Sequence, residues 1–289
     1  MENPNLKENA PALWLSDFPR VQAHQHKYDR GHALIFGGPI TSTGATVLAA
    51  NAALRIGAGL VSVATSREAL PVYAAHFRAV MTKAISQPSD FAALIEDTHV
   101  RAVLLGPGAG VTDQTKASVL AALQSRKATV LDADALNVFA AKPESLFEAI
   151  DGPCILTPHT GEFARLFGVH TQSAEVRIAA ARAAAAKTRA VVILKGNHTV
   201  IASPEGAVAI NRNATPYLAT AGAGDVLAGI CTGLLAQGMP AFSAACAGVW
   251  LHGAAGSAVG AGLIAEDIAG QLPFLLRSLL ETPSAFPNR

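Results

Sequence analysis

The sequence predicts an α/β protein with a mainly parallel central sheet that is covered by helices on both faces. Short, wholly apolar segments alternate with longer Ala-rich segments along most of the 289 residues. Strands buried on both faces are continuously apolar, and an intervening helix returns the chain to a parallel neighbour. No Pro/Gly/Ser-rich linker interrupts the pattern. We therefore expect one domain over residues 1–289, of which about residues 1–25 form an N-terminal extension.

The elements follow in order along the chain. Apolar segments predict strands at residues 33–36, 60–63, 103–105, 129–131, 154–156 and 191–194. Ala-rich segments predict helices at residues 45–56, around residues 67–75, and over most of residues 224–280. Between them, two apolar segments at residues 199–202 and 207–210 flank Pro204, Glu205 and Gly206. Turn residues between two short apolar segments indicate a small β-hairpin.

The chemistry-bearing residues collect where the predicted strands end. Gly38, Gly108, Asp132, His159 and Lys195 each follow an apolar strand. In open α/β sheets, ligands bind outside the carboxyl ends of the strands. These five residues are therefore expected to surround one crevice.

The charge balance excludes some classes of partner. Lys and Arg number 22, Asp and Glu number 21, and the net charge is +1. Nucleic acids and anionic membranes attract strongly basic surfaces, so we expect neither as a partner. Three cysteines without a CxxC pair are typical of free thiols in a reducing compartment. No signal peptide precedes them, and the cytoplasm is the expected location.

One segment is long enough to be tested as a membrane span. Residues 240–265 contain no Asp, Glu, Lys or Arg. The segment is built mostly from Ala and Gly, includes His252, and is followed by acidic rather than basic residues. A membrane helix is usually richer in large apolar side chains and flanked by Lys or Arg. We interpret it as a helix buried in the core or at a subunit interface.

The most informative single motif is the GAGD turn at residues 222–225. Asp225 is the only Asp, Glu, Lys or Arg within residues 213–265. Glycines let backbone N–H groups converge, and a helix start adds partial positive charge, so this turn suits a phosphate. A carboxylate beside it can take a proton from an attacking hydroxyl. The alternative is that Asp225 only caps the following helix.

Two further segments have a functional and a structural interpretation each. Lys195 opens the segment KGNHT at residues 195–199, which suits a nucleotide but also an ordinary surface turn. His159 follows a strand, although a lone histidine is more often structural. Thr160 is the expected N-cap of the next helix.

The acidic segment after the strand at residues 129–131 is also ambiguous. Asp132 and Asp134 with Asn137 suit magnesium bound through water, but they equally suit a turn in which Asp134 caps a short helix. His24 and His26 are too few for a metal site. We therefore predict no complete set of protein ligands for a metal.

Taken together, these segments resemble the ADP/ATP-dependent NAD(P)H-hydrate dehydratase family, which has a ribokinase-like fold. The matching segments are GHALIFGG at 31–38, STGA at 42–45, LGPG at 105–108, LDADALN at 131–137, LTPHTGEF at 156–163, LKG at 194–196 and LATAGAGDVLAG at 218–229. Their order and spacing carry the resemblance, because ribokinase-like kinases share the GxGD turn alone. The resemblance runs from about residue 25 to the C-terminus.

The resemblance implies roles for individual residues. Contacts to the hydrated nicotinamide nucleotide would come from Ala45, Gly108, His159 and Asp225. The adenine nucleotide would be bound by Lys195, Gly196, Asn197, His198, Thr199 and Gly224. The amides of Gly222, Ala223 and Gly224 would form an anion hole, and Asp225 would be the catalytic base.

The implied reaction is the ADP-dependent dehydration of (S)-NADHX and (S)-NADPHX to NADH and NADPH, with release of AMP and phosphate. Magnesium would assist, and ADP would be a co-substrate, as in bacterial members; eukaryotic relatives use ATP. The family habit also implies a homotetramer. Too few residues precede Tyr28 for the epimerase domain that many relatives carry, so no epimerisation is expected.

Two positions depart from the commoner family pattern, and two other functions remain open. Ala223 stands where Ser or Thr is frequent, and Pro39 follows Gly38 where Ser is frequent. The nearest alternative is a kinase for a small alcohol, such as a thiazole or pyrimidine vitamin precursor. An alternative of another class is a non-catalytic adenine-nucleotide sensor, which would have no need of a base.

Overall fold

A single ten-stranded sheet forms the centre of the protein, which a computed structural model describes over residues 6–281. The strands are β1 (Leu6–Glu8), β2 (His32–Phe36), β3 (Leu60–Thr65), β4 (Met81–Ala84), β5 (Val100–Leu105), β6 (Ala128–Leu131), β7 (Cys154–Leu156), β8 (Val191–Leu194), β9 (Thr199–Ala202) and β10 (Val208–Asn211). The six strands predicted from apolar segments and the two hairpin strands are all present. The edge strands β1 and β4 were not predicted.

Helices occupy most of the remaining described chain. They are α1 (Thr43–Arg55), α2 (Leu70–His76), α3 (Pro88–Ile95), α4 (Asp113–Gln124), α5 (Asp134–Asn137), α6 (Glu144–Ala149), α7 (Thr160–Phe167), α8 (Ala174–Thr188), α9 (Ala223–Ala236), α10 (Ala241–Val259) and α11 (Ala265–Glu281). Short 3-10 helices lie at Pro11–Leu13 and Pro216–Leu218.

The strand order is β1-β10-β9-β8-β7-β6-β5-β2-β3-β4. From β8 to β4 all neighbours run parallel, whereas β9 is antiparallel to both β8 and β10. Two apolar clusters lie on opposite faces of the sheet, one with α1, α2 and α9–α11 and the other with α3–α8. The prediction of a mainly parallel sheet between two helical layers, with a small hairpin, is confirmed.

The chain changes direction across the sheet between β2 and β5. Strands β2, β3 and β4 progress to one edge, and β5 to β8 progress the other way from the opposite side of β2. A crevice opens at such a switch point, where the loops after two adjacent strands diverge. The carboxyl ends of β2, β5, β6, β7 and β8 therefore lie side by side along one rim of the sheet.

The N-terminal segment is part of the sheet and the core from Leu6 onward. Strand β1 pairs in parallel with β10. Trp14 is fully buried, and its ring lies 5.8 Å from Phe18 and 5.9 Å from Trp250 between centroids. The segment therefore covers one side of α10.

The charge-free segment at residues 240–265 forms α10 and the turn after it. Helix α10 is buried within the chain and packs against α9 and α11. Its small residues let it approach both helices closely, which confirms the interpretation as a core helix. Nowhere between residues 6 and 281 is there a helix with the length and hydropathy to cross a membrane.

Candidate active site

The loops after β2 and β5 touch at the switch point. A Cβ atom added to Gly38 would lie 2.1 Å from the carbonyl oxygen of Gly108. Gly108 has a φ of +64°, and a Cβ there would lie 2.4 Å from the oxygen of Ser42 and 3.3 Å from the Cβ of Ala45. Only glycine fits such contacts without displacing backbone. The structure thus brings the predicted residues Ala45 and Gly108 together with Gly38.

Three fully buried hydroxyl groups hold these loops in place. The amide of Gly38 donates to Thr46 Oγ1 at 3.2 Å, and that hydroxyl donates to the Pro107 carbonyl at 3.1 Å. The Gly38 carbonyl accepts hydrogen bonds from Thr65 and Tyr73, each at 3.1 Å. Because every polar group of Gly38 is bonded to a buried partner, the loop keeps a defined shape with Pro39 next to it.

A buried ion pair lies at the ends of β6 and β8. Lys195 Nζ donates to Asp132 Oδ1 at 2.8 Å, and Thr157 Oγ1 donates to the same oxygen at 2.7 Å. Asp132 is 2% exposed, whereas the Lys195 side chain is 21% exposed. Burial opposes the charged ammonium, but Asp132 and Glu162 outweigh that effect and raise the pKa of Lys195. The lysine therefore stays charged and accessible from the crevice.

The GAGD turn places the start of α9 against this ion pair. Gly222 has a φ of +87°, which favours glycine, and a Cβ there would lie 2.6 Å from the Leu48 side chain. A Cβ added to Gly224 would lie 3.3 Å from Lys195 Nζ. Within residues 6–281, the amides of Gly224 and Asp225 have no hydrogen-bond partner, while that of Ala223 donates to Thr220 at 3.4 Å. Two free N–H groups at a helix start thus lie beside an ammonium group, which suits a phosphate.

Asp225 does not cap α9, contrary to the structural alternative for this residue. The N-cap is Gly222, and Asp225 is the third helical residue. Its partly buried carboxylate accepts no hydrogen bond from the described residues. Burial and the neighbouring Asp132 raise its pKa to about 7, while Lys195 acts in the opposite direction. A carboxylate with a pKa near 7 and free oxygens is suited to accept a proton from a ligand.

A cavity of about 300 Å³ lies beside the GAGD turn, and Ala223 and Gly224 form part of its wall. Its polar end is formed by Lys195, Gly196, Asn197, Thr199 and Gly224, and its apolar end includes Leu218, Leu227 and Val249. Five of the six residues predicted to bind nucleotide therefore share one cavity. His198, the sixth, is exposed and is not on its wall.

His159 lies at the end of β7, next to Lys195 at the end of β8. Its backbone pairs with that of Lys195 in an isolated parallel bridge. Its Nδ1 accepts hydrogen bonds from the amides of Gly161 at 2.9 Å and Glu162 at 3.4 Å. His159 is therefore the N-cap of α7, and the prediction of Thr160 as the cap was wrong because the ring of His159 reaches those amides first.

The three polar residues after β6 that could suit magnesium each have a different hydrogen-bond partner. Asp132 pairs with Lys195, Asp134 accepts from the Gly110 amide at 2.8 Å, and Asn137 accepts from Arg165 at 2.8 Å. Asp134 is the first residue of α5 and Ala133 is its N-cap, so the alternative in which Asp134 caps this helix was wrong. In residues 6–281 no three His, Cys, Asp or Glu side chains are grouped as metal ligands.

Three groups that contact the site were missed by sequence reasoning. Arg177 donates to the carbonyls of Leu194 and Lys195 at 3.0 and 3.1 Å, and so holds the backbone before Gly196. His252 lines the cavity beside the GAGD turn. Tyr73, Thr46 and Thr65, which bond to Gly38, form the third group. Tyr73 and His252 come from helices far in sequence from the residues they contact, and only an unexplained polar residue in an apolar helix would have pointed to them.

The cysteines are all free and buried. Cys154, Cys231 and Cys246 form no disulfide. Burial raises the pKa of the Cys154 and Cys231 thiols to about 12, so neither is a nucleophile at neutral pH.

Comparison with known proteins agrees with this geometry. The NAD(P)H-hydrate dehydratase family matches residues 33–270. The ADP-dependent (S)-NAD(P)H-hydrate dehydratase of Neisseria meningitidis is 39% identical, over 86% of this chain and 84% of its own. The chain also spans about half the length of bifunctional NAD(P)H-hydrate repair enzymes that it matches.

Solved structures give the same result for the fold. The ADP/ATP-dependent NAD(P)H-hydrate dehydratase of Bacillus subtilis, co-crystallised with ATP and Mg²⁺, is 30% identical with a TM-score of 0.85 and covers 95% of this chain and 99% of its own. A ribokinase-like superfamily protein of Enterococcus faecalis is 22% identical with a TM-score of 0.84 over 96% of this chain and 98% of its own, which supports the fold alone. The chain has the ribokinase-like fold and belongs to the NAD(P)H-hydrate dehydratase family.

Proposed function

We propose that the protein dehydrates (S)-NADHX and (S)-NADPHX to NADH and NADPH at the expense of ADP, releasing AMP and phosphate. The observation that carries this proposal is the position of Asp225. Its carboxylate, with a pKa raised to about 7, follows the two residues of the GAGD turn that line the cavity and lies near Asp132 and Lys195 at the strand ends. A kinase-like transfer needs a base at the meeting point of donor and acceptor.

The nucleotide is assigned to the cavity beside the GAGD turn. Lys195, Gly196, Asn197, Thr199 and Gly224 surround its polar end, and we retain His198 as a residue of the same loop. The ammonium of Lys195 and the amides of Gly224 and Asp225 suit the phosphates. The anion hole predicted at Gly222, Ala223 and Gly224 is accordingly proposed one residue further along the helix, because the Ala223 amide already donates to Thr220.

The hydrated nicotinamide nucleotide is assigned to the switch-point side. Ala45 and Gly108 lie side by side there, both partly exposed, and offer a ligand only backbone and one methyl group. Exposed His159 lies at the junction with the nucleotide cavity. Its Nε2, which carries the ring proton because Nδ1 accepts hydrogen bonds, lies 3.5 Å from Glu162.

The reaction begins with attack of the substrate hydroxyl on the terminal phosphoryl group of ADP. Asp225 accepts the hydroxyl proton, the new O–P bond forms, and the bond to the AMP oxygen breaks. Lys195 and the free amides at the start of α9 offset the charge on the transferred group. The ring nitrogen then expels phosphate from the substrate carbon, and loss of a proton from the next carbon restores the double bond.

Magnesium fits the charge of this site as a companion of the nucleotide. Asp132, Asp134 and Glu162 all raise the pKa of Asp225, so negative charge converges beside the proposed phosphates. A hard divalent cation is usually held by phosphates, water and one or two carboxylates. Asp132 and Asp225 would be the carboxylates to hold such an ion, which would neutralise developing phosphoryl charge.

The other two functions are less well supported. A small-alcohol kinase would use the same base, but the family model and the Neisseria meningitidis relative that match most of this sequence are NAD(P)H-hydrate dehydratases. A sensor would gain nothing from an unpaired carboxylate that is costly to bury. We further propose that the protein is a homotetramer, as the family resemblance implies. We also propose a cytoplasmic location, because the three thiols are free.

The direct test mixes the protein with hydrated NADH, Mg²⁺ and ADP and follows the near-ultraviolet absorbance of NADH. We expect the absorbance to return only when nucleotide is present. No recovery above a protein-free control would reject the proposal. Stable accumulation of a phosphorylated substrate would support the kinase instead.

A further inference from the structure

His252 places a neutral ring on the wall of the proposed nucleotide cavity. The residue is 9% exposed and belongs to α10, and Nε2 lies 2.8 Å from the carbonyl oxygen of Ala223. A carbonyl oxygen can only accept, so Nε2 carries the proton. The other nitrogen, Nδ1, then has a free lone pair and has no hydrogen-bond partner among residues 6–281.

The surroundings keep the ring neutral and fixed. Burial lowers the pKa of His252 to about 4, the Ala223 hydrogen bond opposes this, and Lys195 adds to it. Asn213 holds the backbone of α10 on both sides of His252. It donates to the Trp250 carbonyl, two residues earlier, at 2.8 Å, and a Cβ on Gly253, the next residue, would lie 2.1 Å from Asn213 Oδ1. The acceptor therefore has a defined position in the cavity.

The chemistry of Nδ1 selects its partner. Phosphate oxygens are largely deprotonated at neutral pH and act as acceptors, so they are poor partners for another acceptor. Ala223 immediately precedes Gly224, which places the ring near the phosphate end of the cavity but beside the apolar residues Leu227 and Val249. A donor group on the nucleoside fits this place, and a phosphate does not.

We propose that His252 Nδ1 accepts a hydrogen bond from the nucleoside of the bound adenine nucleotide, from either a ribose hydroxyl or the 6-amino group of adenine. The proposal rests on the function proposed above. It makes His252 a residue that selects the nucleotide, in addition to its bond to the GAGD turn.

Two substitutions separate these two roles. His252→Gln places an amide near the position of Nε2, so it retains the donor to Ala223 and loses the acceptor. His252→Asn places an amide oxygen near the position of Nδ1 and loses the donor to Ala223. By calorimetry, we expect His252→Gln to bind ADP about 3- to 10-fold more weakly than the parent, the usual effect of one neutral hydrogen bond. We expect His252→Asn to bind ADP with near-parent affinity but to melt at a lower temperature.

Nucleotide analogues identify the donor, and their effect can be measured on the parent protein first. The parent should bind one of 2′-deoxy-ADP, 3′-deoxy-ADP and inosine diphosphate about 3- to 10-fold more weakly than ADP, and His252→Gln should not distinguish that analogue from ADP. If His252→Gln bound ADP as tightly as the parent, or if the parent bound all three analogues as tightly as ADP, this inference would be overturned and the proposed function would stand. A parent that binds no ADP overturns this inference and the proposed function together, whereas binding without NADH recovery rejects only the function.

Discussion

Replacing Asp225 with asparagine removes the proposed base and changes little else. The two side chains have the same size, and the Asp225 carboxylate neither caps α9 nor accepts a hydrogen bond from the described residues. We expect turnover of hydrated NADH to fall by roughly 10²–10⁴-fold, the usual contribution of a positioned general base. Nucleotide binding should persist, because Lys195 and the free amides are unchanged.

The same substitution should stabilise the protein at neutral pH and above. The pKa of Asp225 is raised from an ordinary 3.8 to about 7 in the folded state, so its ionisation costs at most about 4 kcal/mol, and less because the side chain is partly exposed. Below pH 4 the carboxyl is neutral in both states and the cost is absent. Between pH 4 and 7 only the unfolded state ionises, so the parent loses stability as the pH rises.

The assays are a steady-state rate with hydrated NADH and thermal melts at pH 4 and pH 8. The variant should melt above the parent at pH 8 and together with it at pH 4. In the parent, kcat/KM should rise with pH and reach half its maximum near pH 7, because the base acts when ionised. Asp113→Asn, an exposed acid in the first turn of α4, is the matched control. A variant that binds ADP and turns over near the parent rate would refute the assignment.

Further substitutions and two solution measurements test other parts of the site. Lys195→Met leaves the Asp132 carboxylate buried without its cation, so we expect a loss of about 3 kcal/mol in unfolding free energy and weaker ADP binding; adding Asp132→Asn should recover stability but not binding. Gly108→Ala should raise KM for hydrated NADH at least several-fold because its Cβ meets Ser42, whereas Gly206→Ala, also at positive φ but with nothing within 4 Å, should not change KM. Turnover should be faster with ADP than with ATP, and equal or faster turnover with ATP would contradict this. Light scattering should show a tetramer, and a monomer at micromolar concentration would reject it.

The sequence was most informative where strands are buried on both faces. Strands β2, β5 and β8 carry unbroken apolar segments, so their order and the residues at their ends were predictable. Strands β1 and β4 are short, largely exposed edge strands whose alternation with charged and polar residues leaves no apolar signal.

For the site, the sequence predicted which loops meet but not what holds them. The crevice followed from Gly38, Gly108 and Lys195 at strand ends. The bonds from Tyr73 to Gly38 and from His252 to Ala223 join residues far apart in the chain, which no local pattern encodes. The cap by His159 was missed because histidine rarely serves as an N-cap, whereas the adjacent threonine often does.

The most direct test of the central claim is the product balance of one reaction. The protein would be incubated with hydrated NADH, Mg²⁺ and ADP, and NADH, AMP and phosphate would be measured together by absorbance and chromatography. The proposed reaction predicts equal amounts of the three products, with no lasting phosphorylated intermediate. AMP formed without NADH, or NADH formed without AMP and phosphate, would contradict the coupling of phosphoryl transfer to dehydration.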